Sequence, residues 1–216
     1  MKDVKEFKPE TNSLSLGQVL HCPYNYEQTK LIVKEMTDLL VLELVDKHFV
    51  TNQLVLTIGY DIENLTNSSI KNSYDGEITI DRYGRKIPKH AHGTINLKNK
   101  TSSTKLIMEA IEELYERIIN KNLLVRRINV VANNVVNEAE AKETTQTEQI
   151  SLFVDYEKQK KEKAIEENKR KQENNLQHAI LDIKKKYGKN AILKGMNLEK
   201  DGTTIERNAQ IGGHKE

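Results

Sequence analysis

Segments with helical and strand periodicity alternate along this sequence, and their order constrains the fold more than any other feature. The first helical segment, residues 26–47, follows Asn25 and Gln28, which have the spacing of a capping box, and continues with apolar residues at helical intervals. The second follows the hydroxyl-bearing residues 101–103 and has the clearest apolar stripe in the chain, formed by Ile107, Ile111, Leu114 and Ile118. We therefore predict two amphipathic helices.

The remaining periodic segments alternate apolar and polar residues with the period of a β-strand. They are residues 14–20, 54–60, 91–97 and 123–132. Pro23 follows the first of them, where it closes the strand because proline cannot donate to a ladder. In chain order the elements read β-α-β-β-α-β, the split βαβ arrangement. The sequence thus predicts an α+β fold in which two helices cover one face of a four-stranded antiparallel sheet and leave the other face free.

The free face of this sheet, together with a long connection over residues 61–89, collects polar and basic side chains. Loops of that length inside a compact domain are usually functional or disordered. A cationic cluster of this kind is typical of a phosphate-binding surface, although solvated loop cations remain an alternative. The candidate binding residues of this surface are Lys71, Arg82, Arg85, Lys86, Lys89, Thr94, Asn96, Arg126 and Arg127.

Outside the predicted sheet and helices, the composition changes sharply. Residues 1–12 are polar and read as a tether to a compact domain over 13–135. Residues 136–148 are predicted to be a flexible linker because they offer little surface to bury. Residues 154–187 are predicted to form a charged, solvated helix, which docks only through the apolar stripe of its last third, Leu176, Ile180, Ile183 and Tyr187. Residues 188–216 form a glycine-containing tail with no predicted role.

Several functional classes are disfavoured by the composition. No stretch approaches the roughly 18 apolar residues of a membrane span, and no apolar segment resembles a signal peptide near Met1, so we expect a soluble cytoplasmic protein without a membrane partner. The lone cysteine, Cys22, excludes an internal disulfide.

No metal site is predicted from the sequence. Neither His21 with Cys22 nor the pair at residues 90 and 92 has a partner pair at zinc-finger spacing. Asp61 and Glu63 have metal-like spacing, but we expect these loop carboxylates to be solvated.

Four short stretches, taken in their order and spacing, resemble the Y-family lesion-bypass DNA polymerases, and within them the UmuC-like ImpB/MucB/SamB proteins of UV-damage repair. They are residues 17–20 (Gly-Gln-Val-Leu), 31–44 with a Lys-Glu-Met core, 82–86 (Arg-Tyr-Gly-Arg-Lys) and 124–128 (Leu-Val-Arg-Arg-Ile). The resemblance implies that residues 13–135 are the little finger, which lays its sheet along the major groove of the primer-template duplex. It also implies damaged-DNA binding in translesion synthesis, DNA repair and the SOS response. Contacts with phosphates would position DNA without reading its sequence.

Residues 149–153 resemble the sliding-clamp motif of bacterial polymerases, whose usual form is Gln-Leu-x-Leu-Phe. Gln149, Leu152 and Phe153 match this form, and Ile150 departs from it conservatively. The resemblance implies that Leu152 and Phe153 enter an apolar pocket of the bacterial sliding clamp while Gln149 anchors the peptide, so that tethering raises the local DNA concentration. The alternative is that these residues are only the first turn of the following helix.

The family's two-metal phosphoryl transfer needs carboxylates of a palm domain on the N-terminal side of the little finger. No match to that palm is found before Leu14, so no catalytic residue is assigned and no cofactor is expected here; Mg²⁺ would belong to the palm. Two further hypotheses stay open. A palm-containing partner chain could complete a split polymerase, or the charged helix could make a coiled coil in a non-enzymatic interaction protein.

Overall fold

The computed structural model describes residues 12–144 and 156–210, with backbone alone for 142–144, 156–164 and 166. Its main sheet is antiparallel, with strand order β1-β6-β2-β5. These strands are β1 (Leu14–Tyr24), β2 (Phe49–Tyr60), β5 (Ala91–Thr101) and β6 (Val125–Asn133). A separate hairpin pairs β3 (Ile78–Ile80) with β4 (Lys86–Pro88), and the two-residue β7 (Val136–Asn137) pairs with the start of β2. The predicted four-stranded antiparallel sheet is confirmed.

Both predicted amphipathic helices are present. The helices are α1 (Tyr26–Asp46), α2 (Glu63–Thr66), α3 (Ser68–Lys71), α4 (Thr104–Ile118), α5 (Glu138–Thr144), α6 (Tyr156–Tyr187) and α7 (Thr204–Asn208), with a 3₁₀ turn at Gly195–Leu198. The capping box predicted for α1 is formed: Asn25 and Gln28 exchange two hydrogen bonds of 3.0 Å between side chain and backbone. Ser103 caps α4 by accepting from the Leu106 N–H. The element order confirms the α+β prediction.

The core lies between the sheet and the two long helices. On the central strands, Leu54, Leu56 and Ile58 of β2 and Ile128 and Val130 of β6 are fully buried, whereas the residues between them reach the surface. Burial of one such side chain contributes roughly 1.5–3 kcal/mol relative to exposure. The alternation fixes which face of the sheet meets the helices and leaves the opposite face available.

Helix α4 approaches β5 most closely at Gly93. A Cβ atom at this glycine would lie 2.7 Å from Ile118 Cγ2 and 2.9 Å from Leu114 Cδ1, distances that real Cβ atoms do not adopt. Gly93 therefore lets the helix sit directly on the strand, and its place on the apolar side of β5 agrees with the predicted register.

Helix α6 docks through its last third, as predicted, but with a different face. Gln177 is 4% exposed and donates to the Ser102 carbonyl (3.0 Å) and to Thr104 Oγ1 (2.9 Å). The outer members of the predicted apolar stripe, Leu176 and Tyr187, are 60% and 67% exposed. The predicted docking face was wrong because the centre of the contact is the hydrogen-bonded amide of Gln177 and not an apolar residue. The spacing of apolar residues cannot reveal such a contact.

Residues 188–210, which we call the C-terminal cover, pack against the side of α1 that faces away from the sheet. The Glu35 carboxylate in α1, 1% exposed, accepts from the Thr203 N–H (2.8 Å) and from Asn197 Nδ2 (3.0 Å). Lys194 pairs with Asp38 one turn further on. Helix α1 is thus buried on two sides, which explains why its apolar residues are not confined to one stripe.

Two segments predicted as irregular carry regular structure. Helices α2 and α3 lie in the connection over 61–89, where the Asn67 side chain caps α3 by accepting from the Ser69 N–H (3.1 Å). In the predicted linker, the described residues 136–144 contain β7 and α5. Throughout the described ranges, no helix has both the length and the apolar character to cross a bilayer.

Candidate nucleic-acid interface

The face of the main sheet opposite α1 and α4, which we call the open face, carries no acidic residue at its strand positions. Alternation along the four strands places sixteen residues there: Ser15, Gly17, Val19, His21, Gln53, Val55, Thr57, Gly59, His92, Thr94, Asn96, Lys98, Arg127, Asn129, Val131 and Asn133. A surface of amides, hydroxyls, imidazoles and a guanidinium without carboxylates can approach phosphate groups without like-charge repulsion.

Arg127 is the arginine of the open face. It is exposed, lies between Val19 of β1 and Gly59 of β2 in the strand register, and makes no ion pair within the described part of the chain. At Gly59 a Cβ atom would lie 3.2 Å from the Arg127 Cβ, so glycine keeps the space beside this arginine open. The predicted DNA-binding residue Arg127 is therefore placed on the free surface.

Amide side chains form a hydrogen-bonded row across the far end of the open face. Asn133 Nδ2 donates to Gln53 Oε1 (3.1 Å), and Gln53 Nε2 donates to Asn96 Oδ1 (2.9 Å). Thr57 and His92 contact each other at 2.9 Å two rows further along, beyond the paired residues Val55 and Thr94. The row fixes the orientation of the predicted residue Asn96; the equally exposed Thr94 lies beside it. The sequence analysis did not identify Gln53 as a member of this surface, although the alternation of β2 places it on the face opposite to that of buried Leu54.

Arg126 occupies a β-bulge and has a different environment from Arg127. Tyr60 pairs with Val125 and Gly59 pairs with Arg127, so Arg126 is the extra residue of β6. Its Nε lies 3.4 Å from Oδ2 of Asp61. The ion pair holds this predicted DNA-binding residue at the side of the sheet rather than at a paired position of the open face.

The expectation that Asp61 is solvated is wrong. Asp61 is only 7% exposed, and its Oδ1 accepts from the Glu63 N–H (2.8 Å) at the start of α2. The carboxylate thus joins the end of β2 to the following helix while it balances the charge of Arg126.

The basic hairpin, formed by β3, β4 and the turn between them, carries most of the predicted loop cations. Its turn is organised by Asp81, whose carboxylate accepts from the N–H groups of Tyr83 and Arg85 (2.9 Å each) and from Arg85 Nε (2.8 Å). Gly84 takes a positive φ of 77°, which glycine adopts without strain. The Arg85 side-chain hydrogen bond is the main cause of a lowered pKa at Asp81.

The predicted loop cations divide into two groups. Arg85 and Lys89 are paired with Asp81 (2.7 Å) and Glu77 (2.6 Å). The other three are exposed and have no carboxylate partner within the described ranges: Lys71, Arg82 and Lys86. The positive charges of this second group are not balanced by a neighbouring carboxylate and are available to an anionic ligand.

The basic hairpin projects from the Arg127 end of the open face. It leads into β5 at Ala91, which pairs with Ile58, and the neighbouring residue of β2, Gly59, pairs with Arg127. The hairpin is therefore attached at the Arg127 end of the sheet.

The sequence predicts one further site, the clamp motif, and no metal site. The clamp-motif residues Gln149, Ile150, Leu152 and Phe153 lie outside the described residues. Within the described part of the chain, no group of three or more His, Cys, Asp or Glu side chains could hold a metal ion.

The fold and its surface define an α+β domain in which helices cover one face of the sheet and leave the other face open. The strand positions of the open face carry no carboxylate, and the basic hairpin is attached at one end of it. Residues 12–152 match the model of the impB/mucB/samB family C-terminal domain, and the chain belongs to this family. The family is that of the Y-family polymerases, so the resemblance found in the sequence is confirmed.

The other comparisons add little to the family match. Among curated proteins none matches the sequence significantly. The chain is similar to a solved structure described as a complex of the beta-clamp processivity factor and the little finger domain of PolIV. The identity is 5%, the match covers 66% of this chain and 100% of that chain, and the TM-score is 0.38.

Proposed function

We propose that this chain is a duplex-binding and clamp-tethering module of a translesion DNA polymerase that acts in DNA repair. The observation that carries the proposal is the open face, where Arg127 stands without a carboxylate partner in the described ranges, continued by the exposed cations of the basic hairpin. A little finger that follows a translocating template must hold the DNA backbone and ignore the bases. This surface offers the required chemistry.

The bound duplex would lie along the open face, with phosphates beside Arg127 and beside Lys71, Arg82 and Lys86 near the Arg127 end. The neutral row of Asn96, Gln53 and Asn133 would contact sugars and phosphates at the other end through hydrogen bonds, without adding counterion release. Binding is therefore expected to be independent of sequence and to weaken steeply as the salt concentration rises.

Clamp binding is the second half of the proposal. Residues 149–153 follow the predicted linker and resemble a clamp-binding peptide, with Leu152 and Phe153 as apolar anchors. Tethering to a ring on DNA would allow a weak, sequence-blind surface to work at a high local DNA concentration. The damaged-DNA, UV-damage and SOS roles are proposed from the family's name and membership.

Polymerase chemistry, in this proposal, belongs to a palm domain outside residues 12–210, together with its Mg²⁺. The coiled-coil hypothesis is less well supported, because Gln177 and Glu173 of α6 are already engaged with the start of α4. Glu173 accepts from Ser103 Oγ (2.7 Å) and from the Lys105 N–H (3.1 Å).

Fluorescence anisotropy with labelled duplexes of unrelated sequence tests the DNA-binding half. We expect equal affinities for the duplexes, a strong salt dependence and weaker binding for Arg127→Ala. Arg170→Ala, which removes an exposed arginine from α6, is the matched control and should bind like the unmodified protein. Failure to bind any duplex at low salt would refute the proposal.

The clamp-binding half is tested separately with purified bacterial sliding clamp in a surface-binding assay. The double variant Leu152→Ala, Phe153→Ala should lose clamp binding while its affinity for duplex DNA stays unchanged. Equal clamp binding by the variant and the unmodified protein would remove the clamp motif from the proposal.

A further inference from the structure

An aromatic ring stands exposed among cations at the tip of the basic hairpin. Tyr83 is 66% exposed, and the guanidinium carbons of Arg82 and Arg85 lie 4.8 and 5.1 Å from its ring centroid. Arg82 Nη2 also donates to the Tyr83 hydroxyl (2.5 Å). Both guanidinium groups lie over the ring, but the ring stays largely exposed, and Arg82 has no carboxylate partner in the described ranges. An aromatic surface and one unpaired cation therefore meet at the hairpin tip.

The apolar side of the hairpin enlarges this surface. Ile78 and Ile80 occupy the same side of β3 and are 50% and 70% exposed. Ile80 pairs with Lys86 across the hairpin, so an apolar side chain and an unpaired cation are neighbours there too. An exposed aromatic side chain beside cations is typical of surfaces that bind single-stranded nucleic acid, where bases stack on the ring and phosphates meet the charges.

The turn that presents Tyr83 is organised before any ligand binds. Asp81 accepts from the Tyr83 N–H itself, and the Gly84 N–H donates to the Asp81 carbonyl (3.0 Å). A ring held by a hydrogen-bonded turn loses less conformational freedom on binding than a ring on an irregular loop. The geometry therefore favours binding over simple solvent exposure.

We propose that the hairpin tip binds unpaired nucleotides that adjoin the duplex, with a base stacked on Tyr83 and phosphates beside Arg82 and Lys86. This inference rests on the proposed function. A base inside a duplex has both faces covered by its neighbours, so only an unpaired base can offer a face to the ring. The hairpin is attached at the Arg127 end of the open face, so a single strand that leaves a bound duplex at this end would pass near it.

The test compares two DNA substrates with the full chain: a blunt duplex, and the same duplex with a short single-stranded extension at one end. Stacking of one base on an aromatic side chain corresponds to a gain of roughly 5-fold or more in affinity, so the extended duplex should bind more tightly by that factor. Tyr83→Ala should abolish the gain and leave blunt-duplex binding unchanged. Tyr83→Phe, which keeps the aromatic face, should retain the gain.

Tyr187 provides a matched control on another element. It is 67% exposed, and the ammonium nitrogen of Lys186 lies 5.1 Å from its ring centroid, but it ends α6, a helix that packs against α1. Tyr187→Ala should bind both substrates like the unmodified protein.

The outcomes separate this inference from the proposed function. Equal affinity of the unmodified protein for the blunt and extended duplexes would overturn the inference while duplex binding stands, as would a gain that survives in Tyr83→Ala. If the unmodified protein bound neither the blunt nor the extended duplex, both this inference and the proposed duplex binding would be wrong.

Discussion

The Glu35 carboxylate in the middle of α1 accepts a 2.8 Å hydrogen bond from the backbone N–H of Thr203, although 168 residues separate the two along the chain. The same carboxylate accepts from Asn197 Nδ2, and Thr203 Oγ1 accepts from Gln18 Nε2 of β1 at 2.9 Å. Through this one buried group, the sheet, α1 and the C-terminal cover are joined.

Removal of this carboxylate is predicted to release the C-terminal cover. Glu35→Ala leaves the buried Thr203 N–H and Asn197 amide without acceptors, which should lower the free energy of unfolding by about 2–3 kcal/mol. Urea denaturation measures the loss, and limited proteolysis should cut the variant first within residues 188–210. Glu43→Ala, which removes the exposed partner of Lys47 on the same helix, should cost less than about 0.5 kcal/mol. Equal stability of the two variants would contradict the assigned role of Glu35.

A methyl group at Gly93 is predicted to push α4 away from β5. Because the added Cβ would overlap Ile118 and Leu114, Gly93→Ala should destabilise the protein by about 1–3 kcal/mol. At Gly17 in β1 the nearest atom to an added Cβ is Asn129 Oδ1 at 3.6 Å, an ordinary contact. Gly17→Ala is therefore the control and should unfold at nearly the urea concentration of the unmodified protein; a similar shift in both variants would argue against close packing at Gly93.

Acid is predicted to weaken the bridge between α1 and α4. The Glu116 carboxylate accepts from Lys30 Nζ (2.8 Å) and Tyr26, and Lys121 Nζ lies 3.0 Å away. The hydrogen bonds from Lys30, Tyr26 and Lys121 lower the pKa of Glu116 from 4.5 to about 2. A carboxyl group whose pKa is lower in the folded than in the unfolded protein stabilises the fold at any pH above the unfolded pKa. This contribution should therefore disappear as the pH falls from about 5 to about 2.

Urea denaturation between pH 7 and pH 2 measures that effect. Glu116→Gln should show a weaker loss of stability over this range than the unmodified protein. Glu109→Gln, whose carboxylate lies 3.9 Å from Lys105, serves as the control on the same helix. Parallel pH profiles for the unmodified protein and Glu116→Gln would rule out the bridge as the acid-sensitive contact.

Lys86 of the basic hairpin and Lys89, which directly follows that hairpin, are predicted to differ in their effect on DNA binding. Lys86 has no carboxylate partner in the described ranges, whereas Lys89 lies 2.6 Å from Glu77. Each phosphate neutralised by a free cation contributes about 0.9 to the slope of log affinity against log salt concentration. Lys86→Ala should reduce the slope by nearly that amount and Lys89→Ala by much less. Equal reductions of the slope in the two variants would contradict this prediction, because they would mean that DNA displaces Glu77 from Lys89.

The sequence predicted the sheet and both long helices because their signals are local. Capping at Asn25 and the stripe from Ile107 to Ile118 depend on residues three to four positions apart, and strand alternation depends on residues two apart. The placement of Arg127 and Asn96 on one face follows from the same alternation. These features are encoded over a few residues, so one sequence is enough to find them.

The parts that the sequence did not predict depend on distant polar partners. Nothing near Glu35 indicates that Thr203 will satisfy it, and nothing near Gln177 indicates that the start of α4 will accept its hydrogen bonds. At the hairpin, Arg85 was predicted to bind phosphate, but it pairs with Asp81 four residues earlier. The sequence did not indicate this pair because the two residues lie in a turn and not in a helix. Charge patterns identify cations, but only coordinates show which of them are already neutralised.

The C-terminal cover also bears on how the protein should be dissected. The family match ends at residue 152, yet residues 188–210 bury Glu35, and Met196 lies beside Leu42 on the outer side of α1. A fragment cut at the family boundary would retain every strand of the main sheet, but it would expose one side of α1 and leave the Glu35 carboxyl group without its hydrogen-bond donors Thr203 and Asn197. Shortened versions intended for crystallisation or binding assays should therefore extend through residue 210.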